Sequence, residues 1–427
     1  MALPVSYLGR IVDDELDELT GELAAVAVEG AKAVGKTATA SQRAVTTYRF
    51  DDPDQRAVAE ADLDRVIAAP APVLLDEWQY VPTVWDKVRR AVDAGAGPGS
   101  FLLTGSASPR ETSTHSGAGR IVSLRMRPLS LAERLAEAPT VSLRRLLGGG
   151  QPPVSGRTEF RLEDYTEEIL ASGFPGIRGL AGRARRSQLD GYLERVVDRD
   201  FAELGHEVRN PAALRRWMTA YAAASSTTAT FETIRDASTG GQADKPARST
   251  VLPYRDVLER LFILDPVPGW RPSRNQIAQL AEPPKHQLVD PALAASLLGA
   301  TAAVLLTGAA PGPVMPRDGT LLGALFESLI TLSVRVYAQA SEAAVGHLRT
   351  HRGDHEIDLI VERHDGKVIA IEVKLNPEPS SDSVRHLTWL SQRIGDELLD
   401  SVIITTGREA YRRADGIAVV PAALLGP

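Results

Sequence analysis

The sequence predicts an α/β protein with a largely parallel sheet in its N-terminal part and a second, mixed α/β region at its C-terminus. Up to about Arg145, four short apolar segments alternate with polar helical or loop segments: AAVAVEG, TTYRF, APVLLDE and SFLLTGSAS. Such alternation of strands and helices favours a parallel sheet. Near the C-terminus, two segments of alternating hydrophobicity around Asp358 and Glu372 flank a His-Asp-Gly turn, which indicates a hairpin.

The composition of the 427 residues is that of a globular protein, with 43% hydrophobic and 24% charged residues. The chain contains no cysteine, which excludes disulfides, thiolate nucleophiles, iron–sulfur clusters and cysteine-based zinc sites. A metal at the hydroxyl and carboxylate sites described below would be held by oxygen ligands, which suits Mg²⁺. The net charge of −7 means that affinity for nucleic acid would depend on a local patch. The N-terminus lacks a basic region followed by an apolar core, so we predict no signal peptide and a cytoplasmic location.

Changes in composition divide the chain into four predicted parts. These are an N-terminal α/β domain (1–147), a linker with a helical lid (148–208), an arginine-rich helical part (209–270) and a C-terminal α/β domain (271–427). The Gly/Pro/Ser-rich segment 148–158 is predicted to be a linker or long loop. The uncharged stretch 291–310 is long enough to cross a bilayer, but three prolines interrupt the region. A buried helix followed by a loop is therefore predicted there, with no membrane span.

One glycine-rich segment, GAKAVGKT at residues 30–37, satisfies the phosphate-loop pattern G-x-x-x-x-G-K-[ST] in full. It follows a predicted strand and precedes a helix-compatible segment, which is the context that the pattern requires. Lys36 is a candidate catalytic cation for the β- and γ-phosphates, and Thr37 offers a hydroxyl to Mg²⁺. Backbone N–H groups and the helix N-terminus cradle phosphate oxygens. The residues expected to bind ATP here are Gly30, Ala31, Lys32, Ala33, Val34, Gly35, Lys36, Thr37 and Ala38.

A pair of carboxylates, Asp76 and Glu77, ends the apolar segment PVLLDEWQ. Parallel strands bring their carboxyl ends to one edge of the sheet, where ligands of α/β proteins bind. Asp76 is therefore expected to hold Mg²⁺, directly or through water, and Glu77 to orient and polarise the attacking water. Two solvated surface carboxylates are the structural alternative, but they do not require a fully apolar strand before them.

Three further candidates, Thr104, Ser106 and Arg120, follow this carboxylate pair in the sequence. The strand SFLLTGSAS ends in Thr104 and Ser106, and either hydroxyl is a candidate to contact the γ-phosphate; ordinary polar residues at a strand end are an equally good interpretation. Arg120, in GAGR, is a candidate arginine finger that acts on the nucleotide of a neighbouring subunit, which implies a homo-oligomer. A surface arginine is the alternative.

The second predicted site lies in the segment DHEIDLIVERHDGKVIAIEVKL. Asp358, Glu372 and Lys374 fit the D…E-x-K spacing of the PD-(D/E)xK nuclease fold. In that fold the two carboxylates bind a divalent metal, and the lysine positions the attacking water or stabilises developing charge. Glu327, in the apolar helix LLGALFESLITL, is the candidate upstream acid, and its neighbours predict that it is shielded and paired with a metal or a base. Cross-strand charge pairs in a hairpin are the structural alternative.

The register of this hairpin decides whether its charged residues meet. A three-residue loop, with Gly366 in the left-handed conformation, pairs Asp358 with Glu372 and Glu356 with Lys374. All four side chains then share one face, and this is the register that we predict. A two-residue loop would turn Glu372 to the opposite face and count against a metal site.

Five segments together resemble those of a known family: GAKAVGKT, LLDEWQYVP, FLLTGSASP, GAGRIVSLRMRPLSLAE and a C-terminal IEVK. The chain is similar to AAA-type (AAA+) ATPases that carry a C-terminal domain of unknown function of the DUF 4143 class. The resemblance covers nearly the whole chain and implies an AAA-type P-loop core, a connector with winged-helix character and a nuclease-like C-terminal fold. PKHQLVDP, residues 284–291, resembles a segment of that C-terminal domain that we assign to a strand and turn. Family members often carry Arg at the position of Lys32, a difference that should not affect phosphate binding.

The arginine-rich part is predicted to form three helices and then a strand, the order of a winged helix, with the third helix interrupted near Pro253. Winged helices often place the third helix in the major groove of DNA. Four basic residues would contact phosphates there, and a solvated helix face is the alternative. These residues are Lys245, Arg248, Arg255 and Arg260.

Two functions remain open on this evidence. The first is an ATPase that couples ATP turnover to action on nucleic acid, which the C-terminal domain cuts. The second is an ATP-dependent switch or scaffold in which the C-terminal fold binds a partner and cuts nothing. The intact set of C-terminal acids and lysine favours the first, and the acidic net charge without a clear basic groove favours the second. A third and weaker possibility, a component of a defence or toxin-type system, rests only on the pairing of the two domain types.

Overall fold

A computed structural model describes residues 7–106, 118–239, 248–272, 282–307, 320–350 and 353–427. The described residues form two compact units. The first unit comprises residues up to 128 together with 203–205 and 257–263, and the second comprises 129–202, 206–256 and 264–427. The first unit thus ends earlier in the chain than the N-terminal domain predicted for residues 1–147.

Five parallel strands form the sheet of the first unit, in the order β2–β3–β4–β1–β5. Strands β1, β3 and β4 are buried along nearly their whole length, as expected for apolar strands covered on both faces. The strands are β1 Ala25–Glu29, β2 Thr46–Arg49, β3 Val73–Asp76, β4 Phe101–Gly105 and β5 Val122–Arg125. The four predicted strands are confirmed. Strand β5 was not predicted, because its first two residues are exposed and the segment is not continuously apolar.

Five helices and a 3₁₀ turn pack around this sheet. Helix α3 begins after Asp52, whose carboxylate accepts a hydrogen bond from the Asp54 N–H at 2.9 Å. The tryptophans Trp78 and Trp85, with ring centroids 4.6 Å apart, belong to the core on one side of the sheet. The elements are α1 Val12–Glu22, α2 Lys36–Ser41, α3 Pro53–Ala61, α4 Leu63–Ile67, the 3₁₀ turn Trp78–Tyr80 and α5 Thr83–Asp93.

The helices that follow β5 are mostly short, and the longest of them is α17. It begins after Thr320, whose hydroxyl accepts a hydrogen bond from the Gly323 N–H at 3.1 Å. They are α6 Leu131–Arg134, α7 Leu143–Leu147, α8 Leu162–Ala171, α9 Pro175–Arg178, α10 Gly182–Arg195, α11 Phe201–Glu203, α12 Pro211–Ala223, α13 Phe231–Ala237, α14 Arg248–Arg260, α15 Pro291–Leu297, α16 Ala302–Thr307, α17 Leu321–Gln339 and α18 Ser381–Ile394. A π-helical turn, Val196–Asp200, joins α10 to α11.

Among the described residues, one helix, α17, is long and apolar enough to cross a membrane by length and composition alone. In its most apolar window 78% of the residues are buried inside the protein, as in the core helix of a globular domain. The stretch 291–310 contains two short helices, α15 and α16, in place of the single helix that we predicted, and residues 308–310 lie outside the described part. Gly299, with φ +63°, lies between the two helices and explains the break.

Seven strands form the sheet of the second unit, in the order β7–β12–β13–β11–β10–β9–β8. Strands β10, β11 and β13 run parallel at its centre, and the outer pairs are antiparallel. They are β7 Gly156–Arg157, β8 Ala344–Arg349, β9 Glu356–Glu362, β10 Val368–Lys374, β11 Leu398–Thr405, β12 Glu409–Arg412 and β13 Ala418–Pro421, with a separate pair formed by β6 Val141–Ser142 and β14 Leu425–Gly426. The segment 148–158 was predicted to be a linker or long loop. It differs from that prediction because it contains β7, which is an edge strand of this sheet.

The arginine-rich part contains the three predicted helices α12, α13 and α14. Helix α14 runs through Pro253 without a break, so the interruption predicted there does not occur, although the proline removes one N–H from the helix. The strand predicted after it is reduced to isolated bridges, Leu264 with Leu288 and Val267 with Lys285. Of the four candidate DNA-contacting residues, Lys245 and the Arg248 side chain lie outside the described part. The Arg255 guanidinium lies 4.9 Å from the centroid of the Phe231 ring and 3.3 Å from Asp256.

Candidate functional site

The phosphate loop connects β1 to α2 at the carboxyl edge of the first sheet. Gly35 has φ 107° and forms the N-cap of α2, a conformation that L side chains rarely adopt. Gly30 lies against the chain that follows β5, since a Cβ atom at this position would come within 2.2 Å of the Met126 carbonyl oxygen. Both glycines of the predicted motif are therefore required by the backbone geometry of the loop.

The Lys36 side chain is buried and folds back onto its own loop. Its Nζ donates hydrogen bonds to the carbonyl oxygens of Gly30 and Ala31, both at 2.9 Å. Burial lowers the pKa of Lys36 to about 8, and the nearby carboxylates of Glu77 and Asp76 oppose this shift. Carbonyl oxygens of the loop thus hold the ammonium group, at a place where phosphate oxygens would be stronger partners.

Two hydroxyl groups converge on the buried carboxylate of Asp76. Thr37 donates to Asp76 Oδ1 at 2.8 Å, and Thr104 donates to the same oxygen. The register explains this meeting, because Thr104 on β4 pairs with Asp76 on β3 and with Val28 on β1. Mg²⁺ in nucleotide sites is held by one or two carboxylates together with substrate phosphates. The hydroxyl of Thr37 and the carboxylate of Asp76 are hard oxygen donors that fit this ion.

Glu77 follows β3 in the left-handed conformation, with φ 54°. Its Oε2 accepts a hydrogen bond from Gln79 Nε2 and a longer one, 3.4 Å, from the Ser106 hydroxyl. The Gln79 amide therefore orients the carboxylate that we expect to act on water. Sequence reasoning missed Gln79, although it stands within the motif LLDEWQYVP. Ser106 contacts Glu77, and Thr104 contacts Asp76, so the two predicted hydroxyls differ in position.

Arg10 was also missed, and it connects the phosphate loop to the chain that follows β5. This buried guanidinium donates to the Val34 carbonyl oxygen and to the Arg127 carbonyl oxygen, both at 2.8 Å. Lys32, at the other side of the loop, forms an ion pair of 2.8 Å with Glu203. A lone arginine far from the motif carries no signal of this role in the sequence.

The structure does not bring Arg120 to the nucleotide site of its own chain. Arg120 precedes β5, and β5 is parallel to β1, so Arg120 lies toward the opposite edge of the sheet from the phosphate loop. Its Nε donates to Asp93 at 2.8 Å, and 45% of its side chain is exposed. Action on the same chain's nucleotide is excluded by this placement, whereas action on a neighbouring subunit stays a prediction.

Replacing Gly30 with alanine is expected to abolish tight nucleotide binding, because the added Cβ would overlap the Met126 carbonyl oxygen and displace the loop. Gly21→Ala is the matched control: nothing lies within 4 Å of a Cβ there. The control should bind like the parent and be equally stable or more stable, by about 0.5–1 kcal/mol, since it lies inside helix α1. Titration with a fluorescent ATP analogue measures the difference. Unchanged binding in Gly30→Ala would show that the loop tolerates the shift.

The C-terminal hairpin has the predicted register. Ile371 pairs with Leu359 and Ala370 with Ile360, which places Glu372 opposite Asp358. The loop consists of three residues, with Gly366 at φ +82°, and Arg363 N–H donates to the Lys367 carbonyl oxygen across its base. The three-residue loop is therefore confirmed. A two-residue loop, which would have counted against a shared face, does not occur.

A lysine that the sequence did not identify stands among these carboxylates. Lys285 is completely buried, and its Nζ lies 2.9 Å from Glu327 Oε1, 3.2 Å from Asp358 Oδ1 and 3.5 Å from Glu356 Oε1. Glu327 is shielded as predicted, and its partner is this base. The segment PKHQLVDP supplies this lysine. The Lys285 N–H donates to the Val267 carbonyl oxygen, and the Val267 N–H donates to the Lys285 carbonyl oxygen, both at 2.9 Å.

The carboxylates of Glu327, Glu356, Asp358 and Glu372 form a cluster with Lys285. Lys374 occupies the remaining side of this cluster. Its Nζ lies 2.6 Å from Glu372 Oε2 and 3.8 Å from Asp358 Oδ2. Asp358 Oδ2 also accepts the Val373 N–H at 2.9 Å, so both oxygens of Asp358 have donors. Glu372 Oε1 is buried, with no hydrogen-bond partner among the residues that the structure describes.

Burial and charge shift the pKa values in this cluster in opposite directions. Burial raises the pKa of Glu327 and that of Glu372 to about 8. Burial would also raise the pKa of Asp358, but the ammonium groups of Lys285 and Lys374 lower it to about 2. Burial would lower the pKa of Lys285, but the neighbouring carboxylates hold it well above its ordinary value. The cluster is therefore a set of ionised and neutral acids around two ammonium groups.

The predicted metal ligands Asp358 and Glu372 do not fit a divalent ion as the side chains stand. Across the described ranges, no group of three or more His, Asp or Glu side chains is arranged to hold a metal. Asp358 has its oxygens committed to two lysines and a backbone N–H, and only one oxygen of Glu372 is without a donor. In this arrangement Lys285 supplies the positive charge beside Asp358, and a metal site at Asp358 and Glu372 stays a prediction.

Comparison with known proteins gives three family models that match parts of the chain. These are an AAA domain at residues 23–135, a domain of unknown function (DUF8612) at residues 162–303 and a domain of unknown function (DUF4143) at residues 322–425. Uncharacterized proteins of Mycobacterium tuberculosis and Mycobacterium bovis are each 26% identical over 354 residues, which is 82% of this chain and 68% of the relative. A solved Walker-type ATPase of Pyrococcus abyssi is 15% identical, with a TM-score of 0.38 over 67% of this chain and 94% of that one.

The parallel sheet, the phosphate loop and the AAA-domain match place the chain in the P-loop class of nucleotide-binding proteins. Within that class, the chain combines an AAA domain at residues 23–135 with a C-terminal DUF4143 domain at residues 322–425. The resemblance drawn from the sequence motifs is thereby confirmed. DUF8612 and DUF4143 are both described as domains of unknown function, so the matches leave the roles of these parts open.

Proposed function

We propose that the chain is a Mg²⁺-dependent ATPase whose nucleotide turnover controls the binding of a partner by its C-terminal domain. One observation carries the ATPase part: Thr37 and Thr104 converge on a single oxygen of Asp76 beside the loop that holds Lys36. Three separate segments thus meet where a nucleotide's phosphates and their metal ion are handled in P-loop proteins.

Each residue of this edge has a proposed task. The backbone of residues 30–38 and the Lys36 ammonium bind the phosphates, and Thr104 lies beside them on the central strand. Thr37 and Asp76 would hold Mg²⁺, which neutralises charge on the phosphates. Glu77, oriented by Gln79, positions and polarises the attacking water.

The experiment is phosphate release by Glu77→Gln. We expect hydrolysis to fall roughly 10²–10⁴-fold, because the amide cannot accept the proton of the attacking water. ATP binding should be retained, since the phosphate loop and Asp76 are unchanged. Glu60→Gln, an exposed carboxylate on α3, is the control and should hydrolyse ATP like the parent. Joint loss of binding and hydrolysis in Glu77→Gln would contradict the proposed role.

Arg120 is proposed as a finger that completes a neighbouring subunit's site in a homo-oligomer. Its exposure and its position away from its own phosphate loop support this assignment. In mixtures, Arg120→Ala chains should restore activity to Lys36→Ala chains, because each lacks a different half of the shared site. Failure of the mixture to recover any hydrolysis, with both variants folded, would refute it.

The C-terminal part is proposed as a nuclease-like fold that binds without cutting, and residues 209–270 as a winged-helix-like connector, in a cytoplasmic protein. Support for the nuclease-like fold is the order of an acid on helix α17, an acid on β9 and E-x-K on β10, all on one face. Support for binding without cutting is Lys285, whose ammonium lies among three of the cluster's carboxylates. The division of the chain into the four parts 1–147, 148–208, 209–270 and 271–427 is proposed together with these assignments.

DNA cleavage by the C-terminal domain can be tested directly. The protein is incubated with plasmid and single-stranded DNA, with Mg²⁺ or Mn²⁺ and with or without ATP. We expect no cleavage under any of these conditions. Cleavage that is lost in Asp358→Ala but kept in Lys36→Ala would establish an independent nuclease. That result would overturn binding without cutting and leave the ATPase proposal intact.

A further inference from the structure

Lys285 reaches the carboxylate cluster from a backbone that is fixed on both sides. Its N–H and carbonyl groups are both paired with Val267, and the segment continues into Asp290, which caps helix α15. The adjacent Gln287 donates to the Ser226 hydroxyl at 3.0 Å. The segment that carries Lys285 therefore cannot move away from the cluster without breaking these hydrogen bonds.

The surroundings of the Lys285 ammonium are those of a bound cation. Three carboxylate oxygens, from α17 and β9, lie between 2.9 and 3.5 Å from Nζ, and the side chain is completely buried. Carboxylates on two elements that converge on one cation are also the ligands that Mg²⁺, Mn²⁺ and Ca²⁺ prefer. An ammonium and a divalent ion would compete for the same oxygens of Glu327 and Asp358.

We propose that Lys285 is the resident cation of this cluster, so that the C-terminal domain holds its acids together without a divalent metal. Removal of the lysine's charge then opens a divalent-cation site formed by Glu327, Glu356 and Asp358. The inference deepens the proposed binding role of the C-terminal domain and is independent of the proposed ATPase.

The experiment counts Mn²⁺ ions bound by the full chain without nucleotide, from the electron paramagnetic resonance signal of free Mn²⁺. All proteins carry Thr37→Ala and Asp76→Asn, which remove the metal ligands of the first unit. The parent should bind no Mn²⁺ at the cluster, and Lys285→Met should bind one additional ion at a Mn²⁺ concentration at least about tenfold below any at which the parent shows binding there. Lys285→Met with Asp358→Asn should lose that ion. Lys367→Met, a lysine in the hairpin loop region, should behave like the parent.

Two outcomes would overturn the inference. One is a folded Lys285→Met that binds no more Mn²⁺ than the parent. The other is a parent that already binds an ion, which is lost in Asp358→Asn. The second comparison needs no change at Lys285, so it decides the matter even where Lys285→Met fails to fold. ATP hydrolysis is also measured in Lys285→Met with Thr37 and Asp76 intact. This measurement distinguishes a failure of the inference about Lys285 from a failure of the ATPase proposal.

Discussion

Replacing Lys36 with methionine is expected to reduce ATP hydrolysis roughly 10²–10³-fold and to weaken ATP binding. The Lys36 ammonium is held by the carbonyl oxygens of Gly30 and Ala31 inside the phosphate loop, so its charge lies where the phosphates arrive. Methionine keeps most of the length and apolar packing of this buried side chain. The variant therefore tests the charge, and phosphate release together with binding of a fluorescent ATP analogue measures both effects.

Lys32→Met is the matched control, because Lys32 belongs to the same loop but has a side chain that is 34% exposed and paired with Glu203. The loss of such an exposed pair costs less than about 1 kcal/mol. We therefore expect near-parental hydrolysis from Lys32→Met. Similar losses in the two variants would show that net positive charge on the loop matters and that the position of Lys36 does not.

The pH dependence of ATP binding gives an independent readout of Lys36. Burial lowers the pKa of Lys36 to about 8 in the protein without nucleotide. The charged form is present below that pH and is lost above it, so ATP binding should weaken as the pH rises through about 8. Lys36→Met should lack this step. A step of equal size in the variant would assign it to another group.

The nucleotide edge could be predicted in large part because its residues form local patterns. The phosphate loop is contiguous, and Asp76 and Thr104 each end an apolar strand, so the rule that parallel strands share a carboxyl edge brings them together. The strand order β2–β3–β4–β1–β5 places β4 between β3 and β1. This order cannot be read from any local pattern in the sequence. Arg10 was missed for the same reason, since its contacts with the loop depend on a distant part of the chain.

The C-terminal cluster shows both the reach and the limit of register arguments. Counting residues around Gly366 predicts correctly that Asp358 faces Glu372, because a hairpin with a period of two fixes which side chains share a face. Lys285 lies 42 residues before Glu327 and 73 before Asp358, in a segment without hydrophobic periodicity. Nothing in the sequence indicates that its ammonium fills the space between these acids, and a metal was the natural expectation for paired carboxylates.

Removal of the Lys285 charge is expected to destabilise the second unit by about 3–5 kcal/mol at about pH 8, since it leaves the buried carboxylate of Asp358 without one of its two ammonium partners. The cost of Lys285→Met should be smaller near pH 5. Lys285 is one of the two ammonium groups that lower the pKa of Asp358 to about 2, and without it the burial of Asp358 raises that pKa. Asp358 in the variant therefore takes up a proton as the pH falls, and the neutral acid needs no counter-ion. Urea unfolding of parent and variant at about pH 5 and about pH 8 measures the two differences.

Glu327→Gln separates the acid from the lysine. The folded protein holds a proton on Glu327 that the unfolded chain releases above its ordinary pKa of 4.5, so this group's contribution to stability is lost as the pH rises from about 4.5 to about 8. Glutamine resembles the neutral acid at every pH, and the variant should therefore gain stability relative to the parent as the pH rises through this window. Lys87→Met, which breaks an exposed ion pair with Asp64 in the first unit, should cost less than about 1 kcal/mol at either pH. A cost of Lys285→Met that is the same at both pH values, with no pH-dependent gain in Glu327→Gln, would mean that the acids of the cluster keep the same charge between these pH values and would contradict the expected coupling.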